Sequence, residues 1–185
     1  NDLLRHRPVI DSAITTLKEI DIVLIAYGTL GNQKACETDF AQALVELNTN
    51  VISVISILTH LANRFEEQKH GTIAVISSVA GDRGRESNYI YGTAKGAVSI
   101  FLQGLRCRLH KSGVTVVTIK PGFVDTPMTK QLQKGFIWAS PNTVGKGITR
   151  AVRLGVSTVY LPWFWSIVMF VIKILPDRVM RSLNI

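Results

Sequence analysis

The stretch "GTIAVISSVAGDRGRESNYIYGTAKGAVSIFLQGL" (residues 71–105) changes its period halfway along, and that change decides the fold. Residues 71–78 form a short, continuously apolar run ending in two serines. Such runs mark strands covered on both faces, as in parallel sheets. From residue 89 to 111 the apolar positions recur at helical spacing, through Ile90, Ala94, Ala97, Phe101 and Leu105. The sequence therefore predicts a strand, a polar loop and a long helix. Working outward, "IDIVLIAYG" (20–28), "GVTVVTIKPG" (113–122) and "VSTVYLP" (156–162) read as further buried strands. Helical patterns cover 8–19, about 35–46, 47–68 and 142–154. Strands alternating with helices of this length predict a doubly wound α/β fold with a parallel, Rossmann-like sheet. Right-handed crossovers would then put helices on both faces.

Composition narrows the function classes. The chain of 185 residues is 46% hydrophobic and 18% charged, which suits one domain with a real core. Two cysteines, Cys36 and Cys107, make no disulfide framework, and a reduced, cytoplasmic setting is expected. The four histidines are scattered without metal-ligand spacing, so no metal site is expected. The net charge of +8 is unevenly spread: residues 130–185 carry eight Lys and Arg against one acid, Asp177. A basic segment attracts polyanions, but no nucleic-acid-binding motif accompanies it. The partner expected is therefore a phosphorylated small molecule or an anionic lipid surface.

Within the opening stretch, Tyr91 and Lys95 lie one helical turn apart and share a face. The pair alone is weak, because Tyr-x-x-x-Lys arises by chance in roughly one such chain in five. Its surroundings give it weight. Ser78 stands 13 residues earlier at a strand end, and "KPGFVDTPM" (120–128) follows the next strand. Asn48 lies on the preceding long helix.

In these residues the chain resembles the short-chain dehydrogenase/reductase family, from about residue 15 to 160 and more loosely throughout. The resemblance implies hydride transfer between NAD or NADP and a carbonyl or secondary alcohol. It implies that Tyr91 donates the proton, Lys95 lowers the phenol pKa and holds the nicotinamide ribose, and Ser78 holds the substrate oxygen. An asparagine on the long helix would keep a water that links the lysine to solvent, and Asn48 fits this role better than Asn50. Gly28, Pro121, Gly122, Val124 and Thr126 would line the nicotinamide end. Thr126 is equally placed to open a helix whose first residue is Pro127. The chemistry asks for these residue types: an isolated phenol, with a pKa near 10, exchanges its proton poorly near neutrality unless its surroundings tune it.

Two departures sharpen the resemblance. Ala26-Tyr27-Gly28 stands where the family has Asn-Ala-Gly, and a charged loop, "GDRGRESN" (81–88), precedes Tyr91. Both are similar to the reductases of decaprenyl-phosphoryl 2-keto-ribose, as is the tail "VYLPWFWSIVMFVIKILPDRVMRSLNI" (159–185). The apolar run 159–172 is shorter than the about 20 residues a spanning helix needs. With Trp163 and Trp165 at one end and Lys173, Arg178 and Arg181 at the other, it suits peripheral contact with the inner face of the cytoplasmic membrane. Arg85, Lys130 and Lys134 are the expected contacts of a lipid-phosphate substrate.

No glycine-rich phosphate-binding turn is present. The resemblance therefore predicts an N-terminally truncated domain, with roughly 55–75 residues before Asn1 supplying three strands. Without them this stretch is not expected to bind cofactor tightly or turn over by itself. Residues 1–160 are read as the catalytic portion and 161–185 as a helical tail of the same domain. Pairing of the long helices would make a homo-oligomer. Two alternatives remain: the same reaction on another hydrophobic carbonyl (steroid, retinoid or fatty acyl ketone), and a catalytically silent binding subunit.

Overall fold

The computed structural model describes residues 2–182. Four strands form one parallel sheet in the order β1 (Ile22–Ile25), β2 (Thr72–Ile76), β3 (Thr115–Pro121) and β4 (Thr158–Leu161). Each strand is followed by helix before the next begins. The helices are α1 (His6–Leu17), α2 (Gln33–Thr38), α3 (Phe40–Leu47), α4 (Ser53–Gln68), α5 (Tyr89–Leu109), α6 (Pro141–Leu154), α7 (Trp165–Ile174) and α8 (Asp177–Ser182). This is the expected doubly wound, Rossmann-like arrangement, because continuously apolar strands must be covered on both faces.

Strand alternation sends side chains to two cores. Val23, Ile25, Ile73, Val75 and Val116 face α4 and α5, where Val54, Leu58, Phe65, Val98 and Leu102 meet them. Ala74, Val117 and Ile119 face α6 through Val144 and Ala151. A third, smaller cluster joins Val79 to Trp165 and Met169, so α7 packs beside the carboxyl end of the sheet. β1 forms one edge, with Ile22 57% and Leu24 46% exposed.

The helix before β2 differs from the reading of two elements meeting at residue 46. Asp39 ends α2 and caps α3, its Oδ1 accepting the Ala41 N–H at 2.8 Å. From there helix runs continuously over Phe40–Gln68, interrupted only by a π turn at Asn48–Ile52. A π turn inserts one extra residue and rotates the following helix relative to the preceding one. By length and composition this helix could cross a membrane, yet its inner face forms part of the core.

Phe65 is fully buried against this sheet. Phe65→Ala should therefore destabilise the fold by about 3–5 kcal/mol, read as a lower urea midpoint with an unchanged slope.

Candidate active site

Every candidate catalytic element lies outside the carboxyl ends of the strands, where open α/β sheets bind ligands. Three turns meet there: Tyr27–Gly28 after β1, Ser77–Gly81 after β2 and Gly122–Thr126 after β3. Helix α5 crosses them with Tyr91 and Lys95 in its first turns.

Contact between α5 and the β2 turn is close because both sides are glycine. A Cβ on Gly81 would fall 2.6 Å from the backbone of Lys95 and Gly96, nearer than real contacts allow. Ser77 strengthens the seam. Its buried hydroxyl lies 3.0 Å from the Lys95 carbonyl and 2.8 Å from the Ser99 hydroxyl, itself 2.9 Å from the same carbonyl. The two serines thus differ. Ser77 ties the turn to the helix, and Ser78 is half-buried.

Ser78 accepts the Ala80 N–H at 3.1 Å, capping the short turn Val79–Gly81, and its hydroxyl lies near enough to the Tyr91 phenol to act on it. Burial pushes the Tyr91 pKa above its ordinary value, and the Ser78 hydroxyl opposes this. The expectation that Lys95 depresses the phenol pKa is thus not met. Lys95 Nζ instead donates to the Ile76 carbonyl at 3.1 Å and stands 5.7 Å from the Tyr91 ring centre. Burial pulls the Lys95 pKa down to about 8, because desolvation disfavours the ammonium. The arrangement holds a protonated phenol against a hydroxyl donor, with a cation of adjustable charge one turn away.

The asparagine beside this group is Asn50, which corrects the preference for Asn48. Asn50 is fully buried. Its Oδ1 accepts the Thr29 N–H at 3.0 Å, and its Nδ2 donates to the Thr29 and Glu46 carbonyls at 3.0 and 3.1 Å. A side chain at Gly28 would sit 2.6 Å from Asn50 Oδ1 and 3.4 Å from Lys95 Nζ. Asn50 and Lys95 therefore flank Gly28, whereas Asn48 is only half-buried. Tyr27 turns away from Lys95 and bonds Ser53 at 2.6 Å.

On the β3 side, Trp165 packs directly on Gly122, and Val124 bridges to Ala139. Thr126 opens the turn Pro127–Thr129, its N–H donating to Thr129 Oγ1 at 3.2 Å. The bare backbone of Gly28 thus lies between Asn50 and Lys95, and that of Gly122 lies under the Trp165 indole.

The three expected anion contacts separate. Arg85 is half-buried, its Nε lacks an acceptor, and burial lowers its guanidinium pKa. Lys130 is exposed. Lys134 already pairs with Asp125 at 2.8 Å, which sequence alone did not suggest. Arg83, in the same loop as Arg85, reaches across to the Leu175 carbonyl and Asp177.

Comparisons with known proteins agree with this fold. The short chain dehydrogenase family model matches residues 2–135. An uncharacterized oxidoreductase of Mycobacterium tuberculosis (strain H37Rv) is 34% identical over 183 residues, covering 99% of this chain and 74% of the relative. An uncharacterized oxidoreductase of Streptomyces coelicolor is 32% identical, covering 89% of this chain and 65% of that one. A short chain dehydrogenase from Burkholderia cenocepacia, solved in complex with NADP, superposes with a TM-score of 0.83 at 16% identity, over 100% of this chain and 77% of that chain. ElxO with NADP bound has a TM-score of 0.78 at 18% identity, over 89% of this chain and 74% of that one. Fold, order of elements and matched residues lead to one conclusion: this chain belongs to the short-chain dehydrogenase/reductase family, oxidoreductases that use NAD or NADP.

Proposed function

We propose that the site catalyses reversible reduction of a carbonyl to a secondary alcohol, with Ser78, Tyr91 and Lys95 as the catalytic group. The observation that carries this reading is the convergence of Ser78, Tyr91 and the buried Lys95 at the carboxyl end of β2, with the Ser78 hydroxyl acting on the Tyr91 phenol. A bound NAD or NADP supplies or accepts the hydride. In the reducing direction Ser78 donates a hydrogen bond to the carbonyl oxygen, and Tyr91 gives that oxygen its proton as charge develops on it. The raised phenol pKa keeps Tyr91 protonated until then. Lys95, with Gly28, Pro121, Gly122, Val124 and Thr126, holds the nicotinamide end, and Asn50 fixes the wall that Gly28 and Lys95 share.

The substrate we propose is a polyprenyl-phosphate-linked keto-sugar. Arg85 supports this, because a buried guanidinium edge without an acceptor suits a phosphate at the mouth. Helix α7 supports it as well. Ile167, Phe170, Val171 and Ile174 form an exposed stripe at helical spacing, with Lys173 near its carboxyl end and Arg178 and Arg181 beyond it. Such a surface suits peripheral contact with an anionic bilayer, from which a lipid-linked substrate would be drawn. An uncharged hydrophobic carbonyl is the second reading, favoured by the Lys134–Asp125 and Arg83–Asp177 pairs, which use up nearby cations. Exposed Phe40, Leu44, Ile52 and Ile100 on the long helices suit a homo-oligomer.

Tyr91→Phe should lower kcat by about 10²- to 10⁴-fold while cofactor binding, followed by fluorescence, is retained; undiminished turnover would disprove the proton-donor role. The Lys95 ammonium persists below its pKa of about 8 and is lost above it, so kcat/KM for carbonyl reduction should fall as pH rises through that value. Lys95→Arg should move this limb upward, and a limb that stays in place would assign it elsewhere. Asn50→Ala should impair turnover about tenfold or more by loosening the Gly28 wall, whereas Asn48→Ala should be near neutral. Arg85→Ala should raise KM for a polyprenyl-phosphate ketone but not for an uncharged ketone of equal length; equal effects on both would favour the second reading.

A further inference from the structure

A buried charged cluster lies outside the catalytic group, in which neither Asp82, Lys120 nor Tyr160 has a part. Asp82 closes the turn that Ser78 caps. Lys120 is the β3 residue immediately before Pro121–Gly122, and Tyr160 is its paired neighbour on β4. Both oxygens of the Asp82 carboxylate are engaged: Oδ1 accepts from Lys120 Nζ at 2.5 Å, and Oδ2 accepts from the Tyr160 hydroxyl at 2.6 Å. The Lys120 ammonium also stands 5.5 Å from the Tyr160 ring centre. The Asp82 and Lys120 side chains are 5% and 10% exposed. Burial, and then the Asp82 hydrogen bond and charge, push the Tyr160 pKa well above its ordinary value, so this phenol serves only as a donor.

Stability does not account for such a cluster. Taking two charges out of water costs about as much as their attraction returns, and well-packed apolar residues of similar volume do as well or better. What a buried ion pair specifies is one relative placement of the segments that carry it. Here the segments are the Ser78 turn, the Pro121–Gly122 turn and β4.

We infer that Asp82, Lys120 and Tyr160 are positioning residues, which lock the Ser78 turn against the Pro121–Gly122 turn so that the carbonyl-holding hydroxyl and the cofactor-holding backbone keep one register. This rests on the reduction chemistry proposed above. The cluster acts through Ser78: shifting the turn by a fraction of an ångström misplaces its hydroxyl relative to Tyr91, and the loss appears in turnover rather than in cofactor affinity.

The test is the triple variant Asp82→Leu/Lys120→Met/Tyr160→Phe of the full chain, assayed with and without Ser78→Ala. The expected result is a melting temperature near that of the parent, kcat at least tenfold lower, and KM for cofactor within twofold. In the Ser78→Ala background the triple change should cost less than threefold more, because groups acting as a unit are not additive. A folded triple variant with kcat within threefold of the parent would overturn the inference, as would a full and independent loss in the Ser78→Ala background. Should the triple variant not fold, Tyr160→Phe alone, which keeps the ion pair, carries the same cycle with an expected threefold or greater fall. Amide hydrogen exchange over residues 78–82, measured without substrate, distinguishes failure of the chemistry from failure of the clamp. A parent that binds NAD or NADP yet turns over no carbonyl rejects the reduction reading. Exchange in that turn at least tenfold faster in the variant still supports the clamp, and unchanged exchange rejects it.

Discussion

The arrangement of the site depends on one close approach, that of α5 to the turn after β2. Gly81 and Gly96 bring two backbones together where Gly81 leaves no room for a side chain and Gly96 little, and Ser77 and Ser99 converge on the Lys95 carbonyl at the same place. Because this contact is between backbones, it sets the placement of α5 along the turn with little freedom. Ser78 comes from the turn and Tyr91 and Lys95 from α5, and their relative positions follow from it. The parallel sheet beneath supplies the other fixed term, since the strand ends lie side by side in register.

Burial then sets the electrostatics. Tyr91 and Lys95 are both shifted toward their neutral forms, the phenol upward and the ammonium downward. Desolvation is the cause for Lys95 and the largest cause for Tyr91, where Ser78 opposes it. A neutral phenol is the form that has a proton to give. The charge on Lys95 is the more conditional of the two, and solvent access or a bound anion would restore it.

Much of this was legible from sequence because it rests on short-range signals. Continuous apolar runs marked the four strands, helical spacing placed Tyr91 and Lys95 on one face, and the 13-residue interval from Ser78 is a strand-turn-helix distance. The choice between Asn48 and Asn50 was not legible. Counting along a regular helix gives no hint of the π turn at Asn48–Ile52, whose extra residue accompanies the burial of Asn50 rather than Asn48. The boundary at Asp39 was missed because an apolar pattern ran through it, although Asp followed by Phe-Ala is a capping signal. Tertiary pairings were beyond reach. Lys134 found Asp125 and Asp82 found Lys120, and nothing in the local sequence says that a lysine is already taken.

The loop preceding Tyr91 is held from two directions. Asp82 faces inward to the sheet, and its neighbour Arg83 faces outward to the Leu175 carbonyl and Asp177, at the junction of α7 and α8. Through Arg83 the loop that precedes Tyr91 and the junction of α7 and α8 share a polar contact, so the carboxyl-terminal helices form part of the same wall as that loop.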